Sequence, residues 1–257
     1  MAATRSRKRR RRGRFGFLYK LFSVVLILGA IVGGCIVFFR VDEITVSGST
    51  AYTDEEIIAA AGVERGDNLF LVGRGRTAQR IWRQLPYISD ANVRWALPDG
   101  LVITVTECTP VAVLPGEDGG WWVIDSGGKL LEGGGQELTG RYPRVNGLTA
   151  LAPAEGTRLT VDKEESAKLN SLKALLAALA DRGMQGQVGS VDLTGVSEIR
   201  MEYEGRFTVR LPLYSEDFPA LVHTLQLAAS YLNAGQTGTI DLTNDRAVDN
   251  RVAEFYP

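Results

Sequence analysis

Residues Thr77 to Glu107 read TAQRIWRQLPYISDANVRWALPDGLVITVTE, and a change of hydrophobic period inside them sets the fold class. In the first part Ala78, Ile81, Trp82 and Leu85 fall at i, i+3, i+4 and i+7, one stripe of a helix, and Pro86 ends it. Beyond Pro86 the period drops to two. Ala91, Val93 and Trp95 alternate with polar neighbours, and Leu101, Ile103 and Val105 do the same. Leu97-Pro98-Asp99-Gly100 between them is a turn, so the two strands return antiparallel.

Working back from this hairpin, Thr53-Asp54-Glu55-Glu56 has capping-box spacing and opens a short helix through Ala61, buried by Ile57, Ile58 and Ala61 and stopped by Gly62. Before it, Val41, Ile44 and Val46 with Gly48 give a short strand closed by a turn. The order strand, helix, helix, strand, strand predicts a small α+β unit.

Further back stands the uncharged run Leu21–Phe39, LFSVVLILGAIVGGCIVFF, between Lys20 and Arg40. As a helix it is roughly 28 Å long, close to the thickness of a bilayer core, and it is expected to span a membrane. It is too long for a cleaved signal peptide and ends in IVFFR, with no small-residue cleavage site. Val32-Gly33-Gly34-Cys35 loosely resembles a lipoprotein box, but bulky apolar residues follow Cys35, which reads as part of the span. Gly29 and Gly33 have the spacing that permits close approach of another span. The net charge of −1 conceals an asymmetry: ten of the 29 basic residues precede residue 41, from Arg5 to Arg40, whereas all 30 acids follow it, leaving the remainder at −11. The positive-inside rule predicts a cytoplasmic N-terminus and residues 41 to 257 outside, and it takes the basic leader as a topology signal in preference to a nucleic-acid arm. Cys35 and Cys108 are too separated to imply a disulfide framework.

After Pro110 the chain becomes β with glycine-rich breaks: VAVL, a turn at Pro115 to Gly120, WWVID, a turn at Ser126-Gly127-Gly128, then KLLE. Asp162 to Glu165 has capping-box spacing before a helix striped by Leu169, Leu172, Leu176 and Leu179. Strands are expected at 190–193, 199–203 and 207–211. A further helix at 216–232 presents Phe218, Leu221, Val222, Leu225, Ala229 and Leu232, followed by strand candidates at 239–243 and 247–255. The expected class is α+β: a basic tail at 1–20, a span at 21–39, a βααββ domain at 40–108, a mixed β-sheet domain with packed helices at 109–245, and a C-terminal strand or tail at 246–257.

Catalytic patterns are weak. Gly73-x-Gly75-x-x-Ala78 matches a dinucleotide fingerprint, yet no parallel strand of a βαβ unit follows it. Ser126-x-x-Lys129 has the spacing of penicillin-recognising enzymes, but two glycines between apolar strands make a hairpin turn where that chemistry needs a helix. His223 is the only histidine, in a helix, and no metal-ligand spacing surrounds it. The expectation is a non-enzymatic outer region with no catalytic residue, cofactor, metal, nucleic acid or small-molecule substrate. A membrane-anchored cell-wall enzyme, resting on Ser126 and Lys129, is the alternative of a different class.

Phe39-xxxx-Ile44-x-Val46-x-Gly48, Gly66-x-Asn68-Leu69-Phe70, Pro86-x-Ile88-xx-Ala91-x-Val93, Pro98-xx-Leu101-x-Ile103-x-Val105-x-Glu107 and Pro110-Val111-Ala112 occur in that order directly after the span. This series resembles the POTRA domain of the bacterial cell-division proteins FtsQ and DivIB. Val123-Ile124-Asp125-xx-Gly128 and Pro143-x-Val145-x-Gly147 resemble the start of that family's β domain. The resemblance implies a single-span scaffold of the division machinery in the cytoplasmic membrane at the division site, binding FtsB/DivIC- and FtsL-like partners during septum formation. It further implies that a partner strand extends the C-terminal edge of the β domain, here placed at Thr239, Ile240, Asp241, Leu242 and Thr243, with Arg246, Val248, Arg251, Phe255 and Tyr256 beyond them. An edge strand offers unpaired N–H and C=O groups that such a strand completes. A POTRA chaperone for exported polypeptides is the other reading of the fold, although it calls for repeated POTRA units or a following barrel.

Overall fold

A computed structural model describes residues 14–233, 235–244 and 253–257. The basic leader before Arg14 lies outside the described residues, as do Arg246, Val248 and Arg251 and most of the strand expected at 247–255. The first helix, α1 (Arg14–Phe38), begins before the uncharged run and contains the stretch Phe17–Cys35, long and apolar enough to cross a bilayer and not buried against the rest of the chain.

The first unit follows α1 without a linker. It comprises β1 (Glu43–Ser47), α2 (Asp54–Ala61), α3 (Arg74–Gln84), β2 (Ile88–Ala96) and β3 (Gly100–Glu107), with β3 central, parallel to β1 and antiparallel to β2. Local chemistry sets the ends of α2. The Thr53 side chain accepts from the Glu56 amide while Glu56 accepts from the Thr53 amide at 2.8 Å, and Gly62 closes the helix at φ 61°, where a Cβ is disfavoured. Ile57, Ile81, Leu101 and Ile103 are fully buried between the two helices and the sheet. Glu107, at the end of β3, accepts the amides of Thr50 at 2.5 Å and Ala51 at 2.7 Å and the Ser49 hydroxyl at 2.8 Å, tying down the loop between β1 and α2. Those donors hold its carboxyl at about 2, with the Ala51 amide contributing most.

Among the described residues the second unit is built on a nine-stranded sheet. Its strands are β4 (Pro110–Pro115), β5 (Trp121–Asp125), β6 (Leu130–Gly134), β7 (Arg144–Asn146), β8 (Val188–Asp192), β9 (Glu198–Tyr203), β10 (Phe207–Pro212), β11 (Gly238–Asp241) and β12 (Glu254–Tyr256), in the order β12-β11-β10-β9-β8-β7-β4-β5-β6. Two helices serve as crossovers between parallel neighbours: α4 (Ser166–Asp181) joins β7 to β8, and α5 (Phe218–Tyr231) joins β10 to β11. Their apolar stripes, including Leu172, Leu175, Leu221 and Leu225, pack into one core with Val191, Ile199, Val209 and Ile240 of the sheet. Asp162–Glu165 forms no capping box. Residues Lys163–Glu165 tighten into a 3₁₀ turn in which the Glu165 amide bonds the Asp162 carbonyl at 2.9 Å, and α4 starts one residue later.

The units meet at the C-terminal end of α3. Lys129, only 3% exposed between β5 and β6, donates to the carbonyls of Trp82 (2.8 Å), Leu85 (3.3 Å) and Ile88 (2.6 Å), and its ammonium lies 4.5 Å from the centre of the Trp82 ring. A helix C-terminus leaves carbonyls without intrahelical donors and carries partial negative charge, so a buried cation there is paired with what it needs. Trp82, expected on the inner stripe of α3, turns instead to this junction. Gly156, at φ 72°, approaches so closely that a Cβ would stand 2.4 Å from the Arg83 carbonyl. Tyr87 packs against Cys108, Val113, Val123 and Leu131. Burial pushes the Cys108 thiol up to about 12.

Glu107 titrates in the folded state below the ~4.3 of an unfolded glutamate. Its contribution is therefore complete above that value and lost as pH falls towards 2. Denaturation monitored by hydrogen exchange at β1 and β3 is expected to show stability falling between about pH 5 and pH 2, with a shallower fall in Glu107→Gln, which is already weaker at neutral pH. Lys129→Met keeps the apolar stem but takes the ammonium from three carbonyls, of which that of Leu85 still accepts the Ile88 amide at 3.1 Å. It is expected to cost about 2 kcal/mol or more and to speed amide exchange at 85–88 and 129–131 while the β9–β11 ladder stays protected.

Candidate partner-binding edge

The far end of the sheet carries the residues that the sequence marks for partner binding. β11 pairs with β10 in parallel, Val209 facing Ile240, and with β12 antiparallel, Ile240 facing Phe255 and Asp241 facing Glu254. Thr239, Ile240 and Asp241 are therefore paired on both sides and form no edge. Ile240 and Leu242 are fully buried in the core, and Thr243 ends the strand by donating both its amide (2.9 Å) and its hydroxyl (2.6 Å) to Asp241 Oδ1. Among the described residues the open edge is β12, where Glu254 and Tyr256 are exposed and Phe255 is half-buried. The two strands expected at 239–243 and 247–255 do pair, with the described part of the second at Glu254–Tyr256, and it is this second strand that takes the edge.

The two faces of this edge differ in chemistry. On one, Arg210 of β10 donates to Glu198 of β9 through Nε (2.9 Å) and Nη2 (2.6 Å) and to Asp241 of β11 through Nη1 (2.7 Å), and Glu198 also binds Arg200. The network crosses three strands and fixes their register. Arg210 and Arg200 hold the Glu198 carboxyl below the usual carboxylate range, and Glu198 in turn raises Arg210. At the rim, the Tyr256 hydroxyl donates to Glu254 at 2.7 Å, which raises the tyrosine.

On the other face, Phe255 meets Phe207 edge-on with centroids 6.2 Å apart. It also lines an apolar groove of about 320 Å³ between α5 and the last two strands, shared with Leu227, Tyr231, Leu232 and Ile240. Tyr231 is 86% exposed and Leu227 42% exposed at its mouth. Neither was marked by the sequence reading. The signal available was their position on α5 one face over from the buried stripe.

Among the described residues the other patterns singled out in the sequence form no site. Gly73 caps the start of α3, between two helices, and the unit has no βαβ crossover there. Lys129 is committed to the three carbonyls of the first unit, and Gly128 takes φ 78° in the β5–β6 turn, so Lys129 cannot act as a base for Ser126. His223 Nδ1 lies 3.0 Å from Arg182 Nη1 on the helical surface.

Residues 39–107, the first unit, match the family model described as "POTRA domain, FtsQ-type". Over 190 residues the chain is 32% identical to the cell division protein FtsQ of Streptomyces venezuelae, an alignment covering 72% of this chain and 61% of that protein. It is 33% identical over 112 residues to FtsQ of Corynebacterium glutamicum, covering 42% of this chain and 50% of that one. Over 184 residues it is 23% identical to the cell division protein DivIB of Clostridium tetani, covering 71% and 68%. The chain carries an FtsQ-type POTRA domain and is similar to proteins of the FtsQ/DivIB family. The first unit is its POTRA domain, and the chain spans from half to about two thirds of the length of these relatives.

Proposed function

We propose that this chain is an FtsQ/DivIB-family protein and a non-catalytic scaffold of the bacterial cell-division machinery. It is anchored by α1 in the cytoplasmic membrane with its N-terminus inside and its two domains outside, and it binds FtsB/DivIC- and FtsL-like proteins during septum formation. The similarity to proteins named for cell division supports the setting. One structural observation carries the binding mode: among the described residues the sheet ends at a three-residue strand, β12, beside an apolar groove. A partner strand added antiparallel or parallel to β12 would complete its free backbone groups, and its alternate side chains would reach the Leu227–Tyr231 groove. Phe255 and Tyr256 are then contact residues. Ile240 and Leu242 support them from the core, and Thr239, Asp241 and Thr243 fix the strand beneath. Arg246, Val248 and Arg251 are proposed as further contacts. The commitment of Lys129 to backbone carbonyls supports the non-catalytic reading.

Capture of a co-expressed FtsB/DivIC-like partner by the full chain in detergent tests this. Removing residues 253–257 should abolish capture with exchange protection of β1–β3 and β8–β10 retained. Tyr231→Asp, at an exposed position, should weaken capture about tenfold or more by placing a charge in the groove. Undiminished capture by both variants contradicts the edge as the binding site.

A further inference from the structure

The end of α1 is stitched into the POTRA domain. The Phe39 amide continues the helix to the Cys35 carbonyl at 3.1 Å, and the next hydrogen bonds run to the loop before α3: Leu69 N to Phe39 O at 2.9 Å, Val41 N to Asp67 O at 2.8 Å and Gly66 N to Val41 O at 2.7 Å. A helix that crosses a bilayer thus delivers this loop to the membrane surface with no spacer. The loop tip is apolar and open, with Leu71 75% exposed and Phe70 44% exposed, although nothing in the domain core requires either outside. Phe70 touches Phe39, the residue at which α1 ends, with ring centroids 4.9 Å apart. It touches Trp95 on its other side at 5.3 Å, and the Arg74 guanidinium lies 4.4 Å over that indole. Aromatic rings backed by arginine are the residue types that settle at the headgroup level of a bilayer.

The charge beside this tip is one-sided. Helix α3 carries Arg74, Arg76, Arg80 and Arg83 and no acid. All four are exposed, and among the described residues none forms an ion pair, the pairs present being confined to Arg200, Arg206 and Arg210 in the second unit. Arg76 and Arg80 line a cleft of about 250 Å³ together with Leu71, Asn68, Gly62 and Asp67. Asp67 is the single acid there, and its carboxylate accepts the Glu64 amide at 3.0 Å. Apolar tip and cationic cleft therefore open together, next to the point where the chain leaves the membrane.

We propose that the Phe70–Leu71 tip inserts into the leaflet at which α1 ends, and that the Arg76–Arg80 cleft seats the phosphate of an anionic lipid headgroup, fixing the POTRA domain on the bilayer. Apolar insertion and headgroup charge act together, since each arginine near an anionic surface adds to the attraction. The surface is at the opposite end of the chain from β12 and independent of partner binding there.

Hydrogen exchange of the full chain in nanodiscs of phosphatidylcholine alone, and with about one third phosphatidylglycerol, tests the proposal. Amides 70–76 are expected to exchange about fivefold or more slowly in the anionic discs. Leu71→Asp and the charge reversal Arg76→Glu with Arg80→Glu should each remove that difference, while the Gly100–Glu107 amides stay protected and report an intact domain. Equal exchange in both discs overturns the proposal, as does protection that survives charge reversal. The wild-type comparison decides the matter if a variant unfolds.

Discussion

The placement of everything beyond residue 110 depends on one buried ammonium. Lys129 reaches across from the β5–β6 turn to the three carbonyls at and beyond the end of α3, and among the described residues it is the only charged group with its exposure below a twentieth. A cation buried to that degree is tolerated because its donors are all used and because the helix end it meets is electron-rich. The Trp82 carbonyl, conversely, faces Pro86 one turn on, which has no N–H to give it. Each side thus answers the other's deficit, and the contact cannot slide without stranding both. Gly156 against the Arg83 carbonyl and Tyr87 within the Cys108 cluster close the joint around it.

That joint grips the sheet at β5–β6, one end of the strand order, and β12 forms the other. Eight strand spacings separate β6 from β12, roughly 38 Å along the sheet. The first unit therefore joins the sheet at one extremity and the open strand lies at the other, with the Arg210 network stiffening the last three interior strands behind that edge. In the proposed scaffold role that rigidity would matter, since a partner caught at β12 would then be located relative to the first unit.

The parts legible in the sequence are those whose causes are local. Thr53 and Glu56 announce a helix start and Gly62 its stop because cap chemistry is completed within a few residues, and the period-two runs around Leu97–Gly100 name their own hairpin. The leucine stripes of α4 and α5 were equally plain. Asp162–Glu165 shows where spacing misleads: the same four-residue pattern closed into a 3₁₀ turn, and no side chain capped the helix. What remained hidden is long-range. Lys129 looks like a turn residue, and its acceptors lie more than forty residues away. Thr239–Thr243 is set at the edge by the family resemblance although a further strand is expected after it, and the pairing with Glu254–Tyr256 makes it an interior one. Arg210 and Asp241 sit at outward positions of their strands, and their pairing follows from a parallel crossover that periodicity does not reveal.

The binding mode at β12 is most directly tested by the spacing of cross-links along the partner. Glu254→Cys and Tyr256→Cys, made separately, should each form a disulfide at one position of a cysteine scan through the captured segment, and the two partner positions should lie two residues apart, the period of a paired strand. Partner positions three or four residues apart would mean that a helix docks there, and no cross-link along a partner that is still captured would place its contact elsewhere on the domain.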